Sequence, residues 1–298
     1  MTLRIGFILL THNKPHQVIR LIGTLNRMFD YPQIVCHHDF SKSDLPLGSL
    51  SKNVSIVQPH LQTGWSKFSI VEAMLSALKL MYEAPENPDW FILLSGADYP
   101  IKTSKKILED LASSGYDVHM HHEQINYNAY ERDWQKICFH RYCVVKFPIP
   151  FLNRKLQLTR QLTLKHPLLT APFLPFSRNF RCFAGEHWFC ANRKAAKYLL
   201  EFHRTKPALA SHYRKLDYCT ITPEESYYQT IFCNAPHLKI SQNHWRYIDW
   251  DRSTNVDHPK TLLSEDIPKM QSSPAHFARK FDFEKDDAVL NELDTIIG

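Results

Sequence analysis

Glycine is scarce in this chain, with eight among 298 residues. No low-complexity run occurs, and no segment recurs at a period of roughly twenty to fifty residues, so long flexible linkers and solenoid arrays are excluded. There is no G-x-G-x-x-G and no G-x-x-x-x-G-K-[ST], which argues against a dinucleotide or P-loop site. H-E-x-x-H and G-x-S-x-G are missing too, which removes the commonest zinc-protease and hydrolase signatures. No stretch approaches the roughly twenty apolar residues that a membrane span needs. The opening "MTLRIGFILLTHNK" has too short an apolar run for a signal peptide and lacks a small-residue cleavage site. Seven cysteines, an odd number without C-x-x-C, predict free thiols in a reducing compartment. The expectation is a cytoplasmic protein able to touch the inner face of a membrane.

One further absence is local. From Arg141 to Ala184 there is no Asp or Glu, while Arg141, Lys146, Arg154, Lys155, Arg160, Lys165, Arg178 and Arg181 all lie there, mixed with Phe, Leu, Ile and Pro. Such a segment reads as a nucleic-acid patch, as a contact for an anionic membrane or acceptor, or as a loop solvated by its own charges. The whole chain carries a formal charge of +6, with 44% hydrophobic and 22% charged residues, the profile of an ordinary globular protein.

The chain is close to the upper size for a single core. "RIGFILLTH" is a continuous apolar run and predicts a strand buried on both faces. "HQVIRLIGTLNRMF" places Val18, Ile19, Ile22, Leu25 and Met28 on one helical stripe. "QIVCHHD", "VSIVQP" and "DWFILLSGADYPI" read as further strands, and "SKFSIVEAMLSALKLMYEA" and "SKKILEDLAS" as helices. This alternation predicts an α/β layer with a mainly parallel sheet over the first ~120 residues, with ligands at the carboxyl ends of the strands. Those ends hold Thr11, His12, Asp39, Gly64, Trp65 and Asp98.

Four short stretches are able to carry chemistry. In "HFARKFD" the adjacent cations Arg279 and Lys280 stand between Phe277 and Phe281, which suits a doubly negative ligand or an ordinary surface strand. In "TPEESYYQTI" Thr222, Pro223 and Glu225 have the spacing of a helix N-cap, N1 and N3, so Glu225 is either a capping-box carboxylate or a base. In "LLSGADYPI" Asp98 follows a buried strand, ready to grip a hydroxyl-rich ligand or to cap a turn. "GEHWFCANR" groups Glu186, His187 and Trp188, where the indole either stacks on a sugar or belongs to the core.

Taken in order, "LTHNK", "HHDFSKSD", "GWSKFSIVEAML", "DWFILLSGADYPI", "GEHWFCANR", "TPEESYYQTIFCNAP", "NHWRYIDWDR" and "HFARKFD" resemble the Branch-type glycosyltransferases. These are the core-2/I-branching β-1,6-N-acetylglucosaminyltransferases and the peptide O-xylosyltransferases. The resemblance runs from about residue 3 to residue 282. It implies one glycosyltransferase domain over residues 1–298 with a GT-A type fold, helices on both faces of the sheet, a nucleotide-sugar half near 1–120 and an acceptor and catalytic half near 180–298. It further implies an inverting transfer from a UDP-sugar with no divalent metal and no other cofactor. By this resemblance Glu225 is the general base, and Arg279 and Lys280 hold the diphosphate. His12, Asp39, Gly64 and Trp65 lie on the donor side, and Asp98, Glu186, His187 and Trp188 on the sugar and acceptor side. A further phosphate cation falls on Arg252 or Lys260. The literal Asp-x-Asp at Asp249–Asp251 follows the Glu225 region rather than the donor strand and reads as a turn. The expected donor is UDP-N-acetylglucosamine, with UDP-xylose as the alternative. The expected partner is a glycan, lipid-linked or peptide acceptor, with no nucleic acid, and residues 141–184 are a candidate membrane or acceptor contact. A basic nucleic-acid or anionic-lipid binding protein is the non-enzyme alternative.

Overall fold

Why the apolar runs are continuous is answered by the layers they join. A computed structural model describes residues 3–126, 133–148, 161–217, 221–250 and 259–298. In it β1 (Ile5–Thr11), β2 (Gln33–His38), β3 (Val54–Ile56) and β4 (Trp90–Ser95) form the parallel half of the main sheet. Along β1, Phe7 and Leu9 enter one core and Ile8 the other; along β4, Ile92 and Leu94 oppose Phe91 and Leu93. Successive side chains of a strand point to opposite faces, so a strand covered on both sides is apolar at every position.

The sheet is completed from later in the chain. After β5 (Asp98–Pro100) come β6 (Val118–His119), β7 (Glu123–Gln124), β8 (Val145–Pro148), β9 (Gln161–Leu164), β10 (Phe183–Ala184), β11 (Cys190–Asn192), β12 (Ile240–Ser241), β13 (Arg246–Ile248) and β14 (Phe277–Arg279). The order across the seven-stranded sheet is β12-β6-β11-β4-β1-β2-β3. β11 runs antiparallel to both β4 and β6, so the two halves of the sequence share one sheet. A smaller sheet, β13-β14-β5, stands beyond the end of β4.

Helices cover both faces, as expected. α1 (Pro15–Phe29), α3 (Ser104–Ala112) and the closing helix Ala288–Ile297 pack one side; α2 (Ser69–Glu83) and the helices Arg193–Thr205, Pro207–Lys215 and Tyr227–Cys233 pack the other. α4 (Asp133–Tyr142) joins the second group through Cys138, Phe139 and Tyr142. The α1 stripe differs from the sequence reading at one position: Leu21 is buried and Ile19 only borders the core. Each fully buried aliphatic side chain on such a face contributes about 1.5–3 kcal/mol.

"TPEESYYQTIFCNA" departs further from its reading as one capped helix. Pro223–Glu225 form a separate 3₁₀ turn, and the α-helix starts at Tyr227. Thr222 lies in the left-handed region with φ 43, and its side chain caps no backbone amide. That conformation is uncommon and costly for a β-branched residue, about 1–3 kcal/mol. Cys36, Cys138, Cys143, Cys182, Cys190 and Cys233 are free; Cys219 lies outside the described residues. Among the described residues no helix is long and apolar enough to cross a membrane.

Candidate active site

Two loops leave the parallel strands and fold over their carboxyl ends. Asp39, just past β2, is fully buried, and its carboxylate accepts from Ser41 N at 3.1 Å, Ser41 Oγ at 2.6 Å, and Thr63 N and Oγ1 at 2.7 Å each. Burial pushes its pKa up, but these donors outweigh burial and hold it below the usual carboxylate range. Asp39 therefore fixes the 63–67 loop. Gly64 donates its amide to Ser69 Oγ at 3.1 Å, and Trp65 stands 61% exposed beside it. Ser66 Oγ in the same loop accepts from Thr222 N at 2.7 Å, which joins this loop to the turn that carries Glu225. His12 is exposed at the end of β1, where its carbonyl accepts from Ser43 Oγ at 3.1 Å.

The cation pair is placed by strand register. Arg279 on β14 lies directly opposite Asp98 on β5. Phe277 and Phe281, at 0% and 2% exposure, anchor the segment in the core. Gln17 of α1 donates to Gly96 O at 2.8 Å and Phe281 O at 3.1 Å, and accepts from Phe283 N at 2.8 Å. One amide thereby ties the bend after β4 to the bend after β14.

Asp98 is neither a turn cap alone nor an exposed sugar ligand. Its carboxylate accepts from Ser95 N at 2.8 Å and from the Ser95 hydroxyl. It also faces two guanidinium groups, Arg246 Nε at 3.5 Å from Oδ1 and Arg279 Nε at 3.6 Å from Oδ2. Arg246 is buried over the Phe277 ring and donates to Leu93 O at 2.7 Å. Arg279 lies over the Trp188 ring at 4.3 Å and keeps some exposure. Burial pushes the Lys280 pKa down, and the neighbouring Arg279 charge adds to it. Lys280 makes no ion pair with a described residue, whereas Lys260 is held by Asp266 at 2.8 Å and Glu265 at 3.5 Å. Arg252, Asp251, Arg154, Lys155 and Arg160 lie outside the described residues.

Three carboxyl groups lie close enough to influence one another's proton affinity. The Glu225 side chain is 33% exposed; its Oε2 accepts from Thr222 Oγ1 at 2.9 Å and from Arg141 Nη1 at 3.2 Å. Thr222 Oγ1 also accepts from Arg141 at 2.9 Å. The capping box is thus replaced by a hydroxyl and a guanidinium that orient the carboxylate. Burial pushes the Glu225 pKa up, with the Thr222 hydrogen bond and Arg141 opposing it. Gly185 donates its amide to Glu225 O at 2.8 Å, and a Cβ there would lie 1.9 Å from His121 O, so only glycine permits this approach. The next residue, Glu186, is pushed up to about 7 by burial and then by the Glu225 charge, against Arg279 and a hydrogen bond from Trp250. Glu224 points away into the protein, where burial and Glu225 push it up to about 8. Burial and Arg279 push His187 down to about 3, so it is a neutral imidazole stacked on Tyr228.

The structure thus gathers Asp98, Glu186, His187, Trp188, Glu225 and Arg279, with the 63–67 loop attached through Thr222. Sequence reading missed Arg141, Arg246 and Trp250. Arg141 was one of eight cations in an acid-free segment, and nothing local marks it as the partner of a glutamate 84 residues away. Among the described residues no three His, Cys, Asp or Glu side chains converge as a metal site.

A family profile described as "Core-2/I-Branching enzyme" matches residues 7–271. The beta-glucuronosyltransferase GlcAT14A of Arabidopsis thaliana is 26% identical over 231 residues, covering 76% of this chain and 46% of that protein. Xylosyltransferase 1 of Rattus norvegicus is 22% identical over 316 residues, covering 99% of this chain and 35% of that protein. The chain therefore spans less than half the length of these curated relatives. Among solved structures, apo mouse xyloside xylosyltransferase 1 covers 92% of this chain and 97% of that one, with 12% identity and a TM-score of 0.40.

Two measurements check this geometry. Asp98→Asn leaves two guanidinium groups facing a neutral amide, and removing one partner of a buried pair costs about 3–5 kcal/mol. The expected outcome is a large loss in denaturant midpoint, whereas an Asp98 that merely contacted sugar would leave stability unchanged. For Glu224 the folded pKa lies above the unfolded one, so its stability contribution is full below the unfolded value of 4.5 and is lost as pH rises through about 8. Glu224→Gln should flatten that part of the curve of melting temperature against pH; parallel curves for variant and wild type would refute the burial of an acidic proton there.

Proposed function

Because this chain belongs to the Core-2/I-Branching enzyme family, we propose that it is an inverting glycosyltransferase. It moves a sugar from a UDP-sugar to a hydroxyl of a glycan acceptor and needs no divalent ion. The single observation that carries this reading is the approach of a part-exposed carboxylate, Glu225, and a guanidinium held over Trp188, Arg279, to the same Glu186.

In this mechanism Glu225 accepts the proton of the acceptor hydroxyl. Burial makes it a stronger base than a solvated glutamate, and Arg141 and Thr222 hold it in one orientation. The acceptor oxygen bonds to the anomeric carbon as the bond from that carbon to the β-phosphate oxygen breaks. A single displacement inverts the configuration. UDP leaves with additional negative charge, which Arg279 meets with a planar fork of donors and Lys280 with a compact charge. Preorganised charge of this kind is usually the largest single contribution to a rate. The bend Ser95–Asp98 lacks an Asp-x-Asp, and its one carboxylate is already engaged by two arginines, which supports transfer without a metal. UDP-N-acetylglucosamine is the first donor to screen. UDP-xylose and UDP-glucuronic acid stand beside it, because the relatives are named for those transfers.

Glu225→Gln keeps an oxygen for Thr222 and Arg141 but cannot take a proton. The expected variant melts near the wild-type temperature, binds UDP, and transfers sugar at least ~100-fold more slowly. Arg279→Ala should instead lose UDP affinity together with rate. Near-wild-type transfer by Glu225→Gln would remove the base assignment. Transfer should also survive excess EDTA; complete loss restored by Mn²⁺ would overturn the metal-free reading.

A further inference from the structure

The last turn of α4, which places Arg141 on Glu225, leads after two residues into the antiparallel pair β8–β9 and then the helical turn Pro167–Thr170. This region carries an apolar surface that the catalytic reading does not use. Leu168 is 81% exposed, Phe173 62%, Leu169 57% and Phe147 41%, and the rings of Phe147 and Phe173 lie 6.4 Å apart. Two distant parts of the segment therefore meet to form one patch.

The amides beneath these side chains find acceptors within the turn. Leu169 N and Thr170 N donate to His166 O at 2.9 and 3.1 Å, Ala171 N to Pro167 O at 2.9 Å, and Phe173 N to Thr170 O at 2.9 Å. Thr170 points inward and is buried. A turn whose amides are already bonded and which directs Leu, Leu and Phe outward lowers the cost of placing those side chains at a bilayer surface, where headgroups and water remain for the carbonyls.

Charge identifies the surface that fits. Lys165, Arg178 and Arg181 are exposed in the same segment, and none makes an ion pair with a described residue. No acid occurs anywhere from residue 141 to residue 184. A protein partner of mixed charge would leave these cations unmatched, whereas an anionic headgroup layer matches them and receives the apolar side chains beneath it.

We infer that Phe147, Leu168, Leu169 and Phe173, with the exposed Lys165, Arg178 and Arg181 of the same acid-free segment, form a docking surface for an anionic lipid bilayer. The surface is independent of the glycosyl-transfer reading, because it is detected by binding alone. Its consequence for that reading is an acceptor held at the membrane surface, close to the base through α4.

The test is cosedimentation of the full chain with vesicles of phosphatidylcholine, with and without phosphatidylglycerol, at low and high salt. The expected result is binding only to the anionic vesicles, weakened by salt. The double variant Leu168→Ser/Phe173→Ser should weaken it by at least about tenfold, with the melting curve unchanged. Failure of the wild type to bind anionic vesicles at low salt overturns the inference, as does a double variant that binds like wild type. A concentration-dependent dimer abolished by the same substitutions also overturns it, since the patch would then be covered by a second copy of the chain.

Discussion

The Asp98 carboxylate is the interaction on which the cleft depends. Two guanidinium groups approach it inside the protein, one wholly enclosed and one partly exposed. Without the carboxylate they would repel each other in a medium that screens poorly. With it the cluster keeps one net positive charge, and Trp188 lies beneath Arg279 and limits the direction in which that charge points. The small β13-β14-β5 sheet exists to hold this arrangement: each strand supplies one of the three ionic residues, and register places Asp98 opposite Arg279. An anion entering the cleft meets a cation already desolvated and aimed, so little reorganisation remains to be done.

Across Trp188 the same principle is used with the opposite sign. Glu186, Glu224 and Glu225 occupy three environments, and their proton affinities separate accordingly. Glu224 is enclosed and pushed up to about 8, Glu186 is pushed up to about 7, and Glu225 stays partly exposed with Arg141 beside it. The strained Thr222 conformation is what turns its hydroxyl toward the Glu225 carboxylate and away from the helix amides. Local backbone cost at that residue accompanies a carboxylate held in one orientation.

The layers were legible because burial on two faces writes itself into β1 and β4 as unbroken apolar runs, and on one face into α1 as a stripe. Gly64–Trp65, Asp98, Glu186–Trp188, Glu225 and Arg279–Lys280 were legible as short motifs. Two things were not. The spacing of Thr222, Pro223 and Glu225 fits a capping box, and only the left-handed φ of Thr222 breaks it, a tertiary effect produced by Ser66 and Arg141. The partners of Asp98 and Glu225 come from elements 148 and 84 residues away, and no periodicity encodes such pairings. Asp39 was read for its position at a strand end, yet its hydrogen bonds all return to its own loops, which makes it a brace for the 63–67 segment.

Gln17 bridges the bend at Gly96 to the carbonyl of Phe281 and the amide of Phe283. During synthesis the helix that carries Gln17 emerges long before Phe281, which lies 264 residues further along the chain. A nascent chain that has built β1 to β4 still lacks β14, the Arg279 charge and the closing helix. The order of emergence therefore places the pairing of Asp98 with Arg279 after the main sheet has all seven of its strands. The arrival of Arg279 beside Asp98 is therefore separable in time from the pairing of the main sheet.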